Sequence, residues 1–66
     1  MKTTLREVRK GEYFTFKDIE EPKESQVYVR DEYDRSAKKF GYSRFSDYNH
    51  YNMKKGSTVV YTGFTF

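Results

Sequence analysis

Glu12-Tyr13-Phe14-Thr15-Phe16-Lys17 decides the fold class, because its apolar side chains recur at every second residue. Phe14 and Phe16 then share one face and Tyr13, Thr15 and Lys17 the other, which is the period of a half-buried strand and not of a helix. The rest of the chain repeats this chemistry. Seven Tyr and six Phe outnumber the aliphatic residues Leu5, Val8, Ile19, Val27, Val29, Val59 and Val60, so the core must be largely aromatic. Aromatic and β-branched side chains suit a pleated surface. The strongest helix former is represented by Ala37 alone. Charged residues make up 35% of the chain, a composition that suits disorder, but aromatics at 20% supply the apolar surface that a disordered sequence lacks.

Upstream of this strand, Thr4-Leu5-Arg6-Glu7 has the spacing of a capping box and predicts one or two helical turns, with Leu5 and Val8 on one side. Lys10-Gly11 ends them, glycine taking the left-handed conformation. Downstream, residues 18–25 are polar, contain the only proline and read as a long surface loop. A second strand is expected over residues 26–32, with Val27 and Val29 inward and Tyr28 and Arg30 outward. Turn residues at 34–37 lead to a third strand over 38–45, in which Phe40 and Tyr42 alternate but Phe45 falls on the opposite parity. A bulge at Gly41 would restore it. A short fourth strand over 48–53, a hairpin turn over 54–57 with Gly56 in the left-handed position, and a last strand over 58–66 complete the pattern.

Five short strands in one domain spanning residues 1–66 must curl to cover their own apolar face. The expected fold is mostly β: a small five-stranded SH3-like barrel, or a strongly curled antiparallel sheet with one short N-terminal helical turn. A chain of 66 residues buries only about 60% of its unfolded surface and has little room for a deep cleft beside its core, which favours a binding module over an enzyme. The absence of cysteine excludes disulfides, thiolate metal sites and cysteine nucleophiles. The basic start of the sequence is followed by no apolar stretch, and the run Val59-Val60-Tyr61 is too short to span a bilayer. A cytoplasmic protein with no membrane partner is the expectation.

Residues Lys10-Gly11-Glu12-Tyr13-Phe14-Thr15-Phe16, Val27-Tyr28-Val29-Arg30 with Glu32-Tyr33-Asp34-Arg35-Ser36, and Val59-Val60-Tyr61-Thr62-Gly63-Phe64-Thr65-Phe66 together resemble a group of short bacterial proteins of phage and mobile-element type. The resemblance implies a small SH3-like β-barrel and carries no activity or functional residue with it. Peptide-binding members of the wider SH3 class place an acidic loop after the first strand, as residues 18–24 would be here. They also rely on a groove tryptophan, and this chain has no Trp.

Charge lies in blocks. Residues 18–34 carry seven carboxylates against Lys23 and Arg30, whereas residues 35–66 carry six cations against Asp47 alone. Local potential, more than the net +3, steers a charged partner. In the basic segment Arg35, Lys38, Lys39 and Arg44 are interleaved with Phe40, Tyr42, Phe45 and Tyr48, with Tyr51, Lys54 and Lys55 following. Cations meet phosphates and exposed rings stack bases, which is how single strands are held. The bland explanation is that the rings are core and the cations a solvated face. The rings expected to stay partly exposed are Tyr28, Tyr33, Tyr48 and Tyr51.

The acidic stretch lacks the alternating ligands and glycine of a calcium loop, so no metal site is expected. His50 has neither a nucleophile elbow nor a paired histidine near it and reads as an ordinary polar residue. No catalytic residue, cofactor or small-molecule substrate is inferred. The expected function is a non-enzymatic binding module that holds nucleic acid through Arg35, Lys38, Lys39, Arg44, Tyr48, Tyr51, Lys54 and Lys55. The alternative is a protein-interaction or structural subunit, including a homodimer.

Overall fold

Alternation of apolar and polar side chains over so much of the chain produces strands wherever a partner is within reach of a short turn. The structure, a computed structural model, describes residues 1–66 apart from the side chain of Tyr48. Its strands are β1 (Lys2–Thr4), β2 (Tyr13–Phe14), β3 (Tyr28–Asp34), β4 (Lys39–Arg44), β5 (Asp47–Lys54) and β6 (Val59–Tyr61). They form a two-stranded sheet, β1-β6, and a four-stranded sheet in the order β2-β3-β4-β5, and every pairing is antiparallel. A single bridge between Thr15 and Tyr61 links the two sheets.

Register assigns each side chain to a face. Tyr13, Val29, Ser43 and Tyr51 stand opposite one another in a row across all four strands. The neighbouring rows, Phe14-Tyr28-Arg44 and Arg30-Tyr42-Asn52, therefore lie on the other face, as does Phe40, two residues from Tyr42. This second face carries the core. Leu5, Val8, Phe14, Tyr42 and Val60 form one buried cluster, with Phe16, Tyr28 and Phe40 packed against it. Phe14 is fully buried and touches Phe16, Tyr28 and Tyr42 at centroid distances of 5.3, 5.9 and 5.9 Å. Burying a side chain of this size is worth about 1.5–3 kcal/mol, and edge-to-face rings add about 0.5–1.5 kcal/mol per pair.

The helical turn expected near the N-terminus is present as a 3-10 turn over Leu5–Glu7, closed by Val8 N–H donating to the Leu5 carbonyl. Leu5 and Val8 are both buried, as their spacing implies. Thr4 makes no side-chain cap, however, so the capping-box spacing is not used. Backbone bonds from Leu5 N–H to Thr58 O (2.9 Å) and from Arg6 N–H to Gly56 O (3.1 Å) tie this turn to the β5–β6 connection. Arg6 is thereby held at the end of the large sheet.

Several expectations need correction. The architecture is mostly β, but it has six strands in two sheets and no closed five-stranded barrel, because β1, β2 and β6 are two or three residues long and pair too little to close one. Gly41 is no bulge: it pairs with Met53, and the register shifts fall between Arg30 and Tyr33 and between Ser43 and Arg44. Its lack of a side chain matters because a Cβ there would run into the Tyr51 hydroxyl, which lies across it. Gly56 is not left-handed either; a Cβ on it would come within 2.8 Å of Phe40 Cε2 and 3.2 Å of Arg6 Cβ. Gly11, by contrast, has the predicted positive φ of 87°. Tyr28, expected outside, stacks on Phe14 and meets Phe16 edge-on at 4.9 Å. Thr15, assigned to the outer face, is fully buried and donates its hydroxyl to the Lys17 carbonyl at 2.7 Å.

Candidate nucleic-acid interface

Where a core is built from rings, the cations at its border have rings to lie on, and three do so on the core face. The Arg30 guanidinium sits 4.4 Å from the Phe40 ring centre, that of Arg44 sits 5.8 Å from Tyr28, and the Lys54 ammonium sits 5.7 Å from Phe16. Such contacts are electrostatic and gain strength as the cation loses water. Arg30 and Arg44 are half-buried, and the Nε atom of each is buried without a hydrogen-bond partner. Among the described residues the only ion pair is Lys10–Glu32, at 2.7 Å, so none of the three is in an ion pair, although Asp47 stands opposite Arg44 in the register. Rings alone compensate a half-buried guanidinium only in part, since burial of a charge is compensated fully only by an opposite charge or hydrogen bonds.

At the Lys54 end of this face the β3–β4 loop adds a fourth cation. The Asp34 carboxylate accepts N–H bonds from Ser36 (2.9 Å) and Ala37 (3.1 Å), which winds the loop tightly and leaves Lys38 to close it with a φ of +55°. Lys38, Arg6, Tyr33, Phe40 and Gly56 line a hollow of about 380 Å³. Tyr33 and Phe40 touch within it, with centroids 4.7 Å apart and planes tilted by 51°.

The opposite face is built differently. Ser43 donates its hydroxyl to Asp31 at 2.7 Å, and Lys10, Asp31, Glu32 and Tyr51 border one shallow depression. A hydrogen bond from Lys10, reinforced by its charge, holds the Glu32 carboxyl below the usual carboxylate range. Farther along, Tyr13, Phe45 and Phe66 meet edge-to-face, with centroids 4.9–5.8 Å apart. Here Asp31 and Glu32 each have a hydrogen-bond partner, whereas Lys39, on the same face by register, is in no ion pair.

The residues predicted from sequence are thus distributed over more than one surface. Arg44 and Lys54 belong to the ring-backed cations, and Lys38 to the hollow beside them. Lys55 adjoins Gly56 in the following turn and is exposed. Arg35 borders a separate depression with Glu32, Tyr33, Asp34 and Tyr51, while Lys39 is half-buried opposite Asp34. Tyr51, 55% exposed, lies over Gly41 on the far face. The side chain of Tyr48 lies outside the described residues. Sequence reasoning missed Arg6, Arg30, Tyr33 and Phe40 as a group, because Arg30 stands in the acidic block and Arg6 comes from the far end of the chain. The two features that place them, the turn contact at Gly56 and the Arg30–Phe40 stack, are both tertiary.

Among the described residues no three His, Cys, Asp or Glu side chains gather as metal ligands, no helix is long and apolar enough to cross a membrane, and His50 is exposed on β5. Fold and site together define a small, mostly-β domain with a cation-rimmed aromatic face. In comparisons with known proteins no family model matches the chain, and neither does any curated protein or solved structure.

Proposed function

We propose that the protein is a non-enzymatic binding module that holds single-stranded nucleic acid along the rim of its core face. The observation that carries this reading is the set of three cations, Arg30, Arg44 and Lys54, each lying on a ring and none paired with a carboxylate. A phosphate backbone supplies the missing anions, and its bases offer π-faces to the rings nearby, a combination that tolerates many sequences. The resemblance to phage and mobile-element proteins would make the role that of an accessory factor.

A protein partner or second copy docking on a strand edge is less well supported. On β5, the border strand of the large sheet, the main-chain N–H groups of Asn49 and Met53 are already taken by side-chain oxygens of Asp47 (3.0 Å) and Asn52 (2.8 Å). Edges blunted in this way resist pairing with another chain.

Fluorescence anisotropy with a short labelled oligonucleotide over a series of salt concentrations tests the reading. Affinity should fall as salt rises, with a log–log slope of roughly −0.7 for each phosphate neutralised. Arg30→Gln, Arg44→Gln and Lys54→Gln should each shallow that slope while leaving the melting transition in place. Binding that ignores salt, or that all three variants retain unchanged, would overturn it.

A further inference from the structure

We propose that the hollow between the β3–β4 loop and the Leu5–Glu7 turn is a subsite for one unstacked nucleotide, its base on Tyr33 and its phosphate between Arg6 and Lys38. As a subsite for a unit of a longer strand, it rests on the reading above.

Four features of the hollow fit this occupant. Its volume of about 380 Å³ lies in the range of small-ligand sites, with two cations and two rings among its lining residues and no carboxylate. Phe40 is covered by the Arg30 guanidinium at 4.4 Å and backed by Tyr33, which leaves Tyr33, 43% exposed, as the ring available for stacking. Gly56 keeps the floor open, since any side chain there would push against Phe40 and Arg6. The backbone bond from Arg6 N–H to Gly56 O fixes the wall that carries the Arg6 side chain.

Lys38 provides the most telling feature. It is the only non-glycine residue with positive φ among those described, in a conformation that glycine adopts without penalty and a lysine does not. The loop would close more easily with glycine at this position. A lysine there sacrifices stability and places an ammonium at the hollow, and strain of this kind concentrates where a residue is used.

The test is a titration with adenosine monophosphate, with inorganic phosphate and adenosine in parallel, followed by amide spectra of the whole chain. The nucleotide should bind more tightly than either half and should shift Arg6, Tyr33, Lys38 and Gly56. Lys38→Gly should melt at a higher temperature than the parent and bind the nucleotide roughly tenfold more weakly, the loss of one charged contact. Tyr33→Leu should abolish the advantage of nucleotide over phosphate, whereas Lys23→Ala, on the acidic loop, should change nothing. A Lys38→Gly variant that binds like the parent, or shifts that fall elsewhere, overturns the subsite. Salt-sensitive oligonucleotide binding without nucleotide binding also overturns the subsite and leaves the broader reading standing. Nucleotide binding in the hollow without any oligonucleotide binding supports the site and refutes the strand.

Discussion

The two faces of the four-stranded sheet treat their charges in opposite ways. On the far face, Asp31 is bonded to Ser43 and Lys10 to Glu32, so polar groups are satisfied within the protein. On the core face Arg30, Arg44 and Lys54 have rings beneath them and are in no ion pair, although Asp47 stands opposite Arg44 in the register. Both faces carry aromatic rings, and both follow from alternating sequence. What separates them is that the core-face cations lie on rings outside any ion pair, whereas on the far face Asp31 and Glu32 are held by hydrogen bonds, and unpaired cations are where an anionic ligand gains most by binding.

Substitutions that trim each face in turn should separate them by size of effect. Phe14→Ala removes the fully buried ring of the core face and should cost about 3–5 kcal/mol, comparable with the whole stability of a domain this small. Urea denaturation should find it unfolded or nearly so. Tyr13→Ala, on the far face at 44% exposure, should cost about 1 kcal/mol through its lost edge contacts with Phe45 and Phe66. Equal costs would mean that the far-face rings form a second core.

The glycines give a subtler contrast. Gly56→Ala sets a methyl group against Phe40, packed on the core, and against Arg6 Cβ, fixed by the Arg6 backbone bond to Gly56, and should cost about 1–3 kcal/mol by overpacking. Gly41→Ala meets only the far end of an exposed tyrosine, which can swing aside, so its cost should stay below about 1 kcal/mol. Thermal melts of the two variants check the order.

The smallest effect concerns pH. Burial first, and the neighbouring Tyr28 second, raise the Tyr42 phenol above its ordinary value of 10.0. The folded state therefore keeps its proton where the unfolded state has lost it. This contribution is whole below the ordinary tyrosine value and is lost as pH rises from there through the raised folded value. Melting temperature should decline in that alkaline window, and Tyr42→Phe should flatten the decline. An unchanged profile in the variant would show that Tyr42 is not the group responsible.

Much of the fold was legible in the sequence. The strand at Tyr13–Phe14, the helical turn at Leu5, the left-handed Gly11 and the turn after Asp34 were legible from local chemistry, although the strand is shorter than the period-two run at residues 12–17, Thr15 is buried against its alternation, and the turn does not use its capping box. The facing of β3 was not. Val27 and Val29 read as the inward pair because aliphatics usually are, yet Tyr28 joins Phe14 and Phe16 instead, and Val27 is buried as well. With rings on both faces, alternation defines two sets without saying which one meets the core. The site suffered for a related reason. Arg44 and Lys54 were read with the rings next to them in sequence but lie on Tyr28 and Phe16, and Arg6 reaches the hollow only through the backbone bond to Gly56, a contact between distant parts of the chain. Arg30 was masked by the carboxylates around it in sequence, although its guanidinium lies on the ring of the next strand.

The most direct measurement is a pair of amide spectra of labelled protein with a short mixed-sequence single-stranded oligonucleotide, at low and at moderate salt. Shifts at Arg30, Phe40, Arg44 and Lys54 that shrink as salt rises, with Tyr13, Asp31 and Ser43 still, are what ring-backed cations outside any ion pair predict. Unmoved spectra, or shifts confined to the Tyr13, Phe45 and Phe66 side, would contradict it.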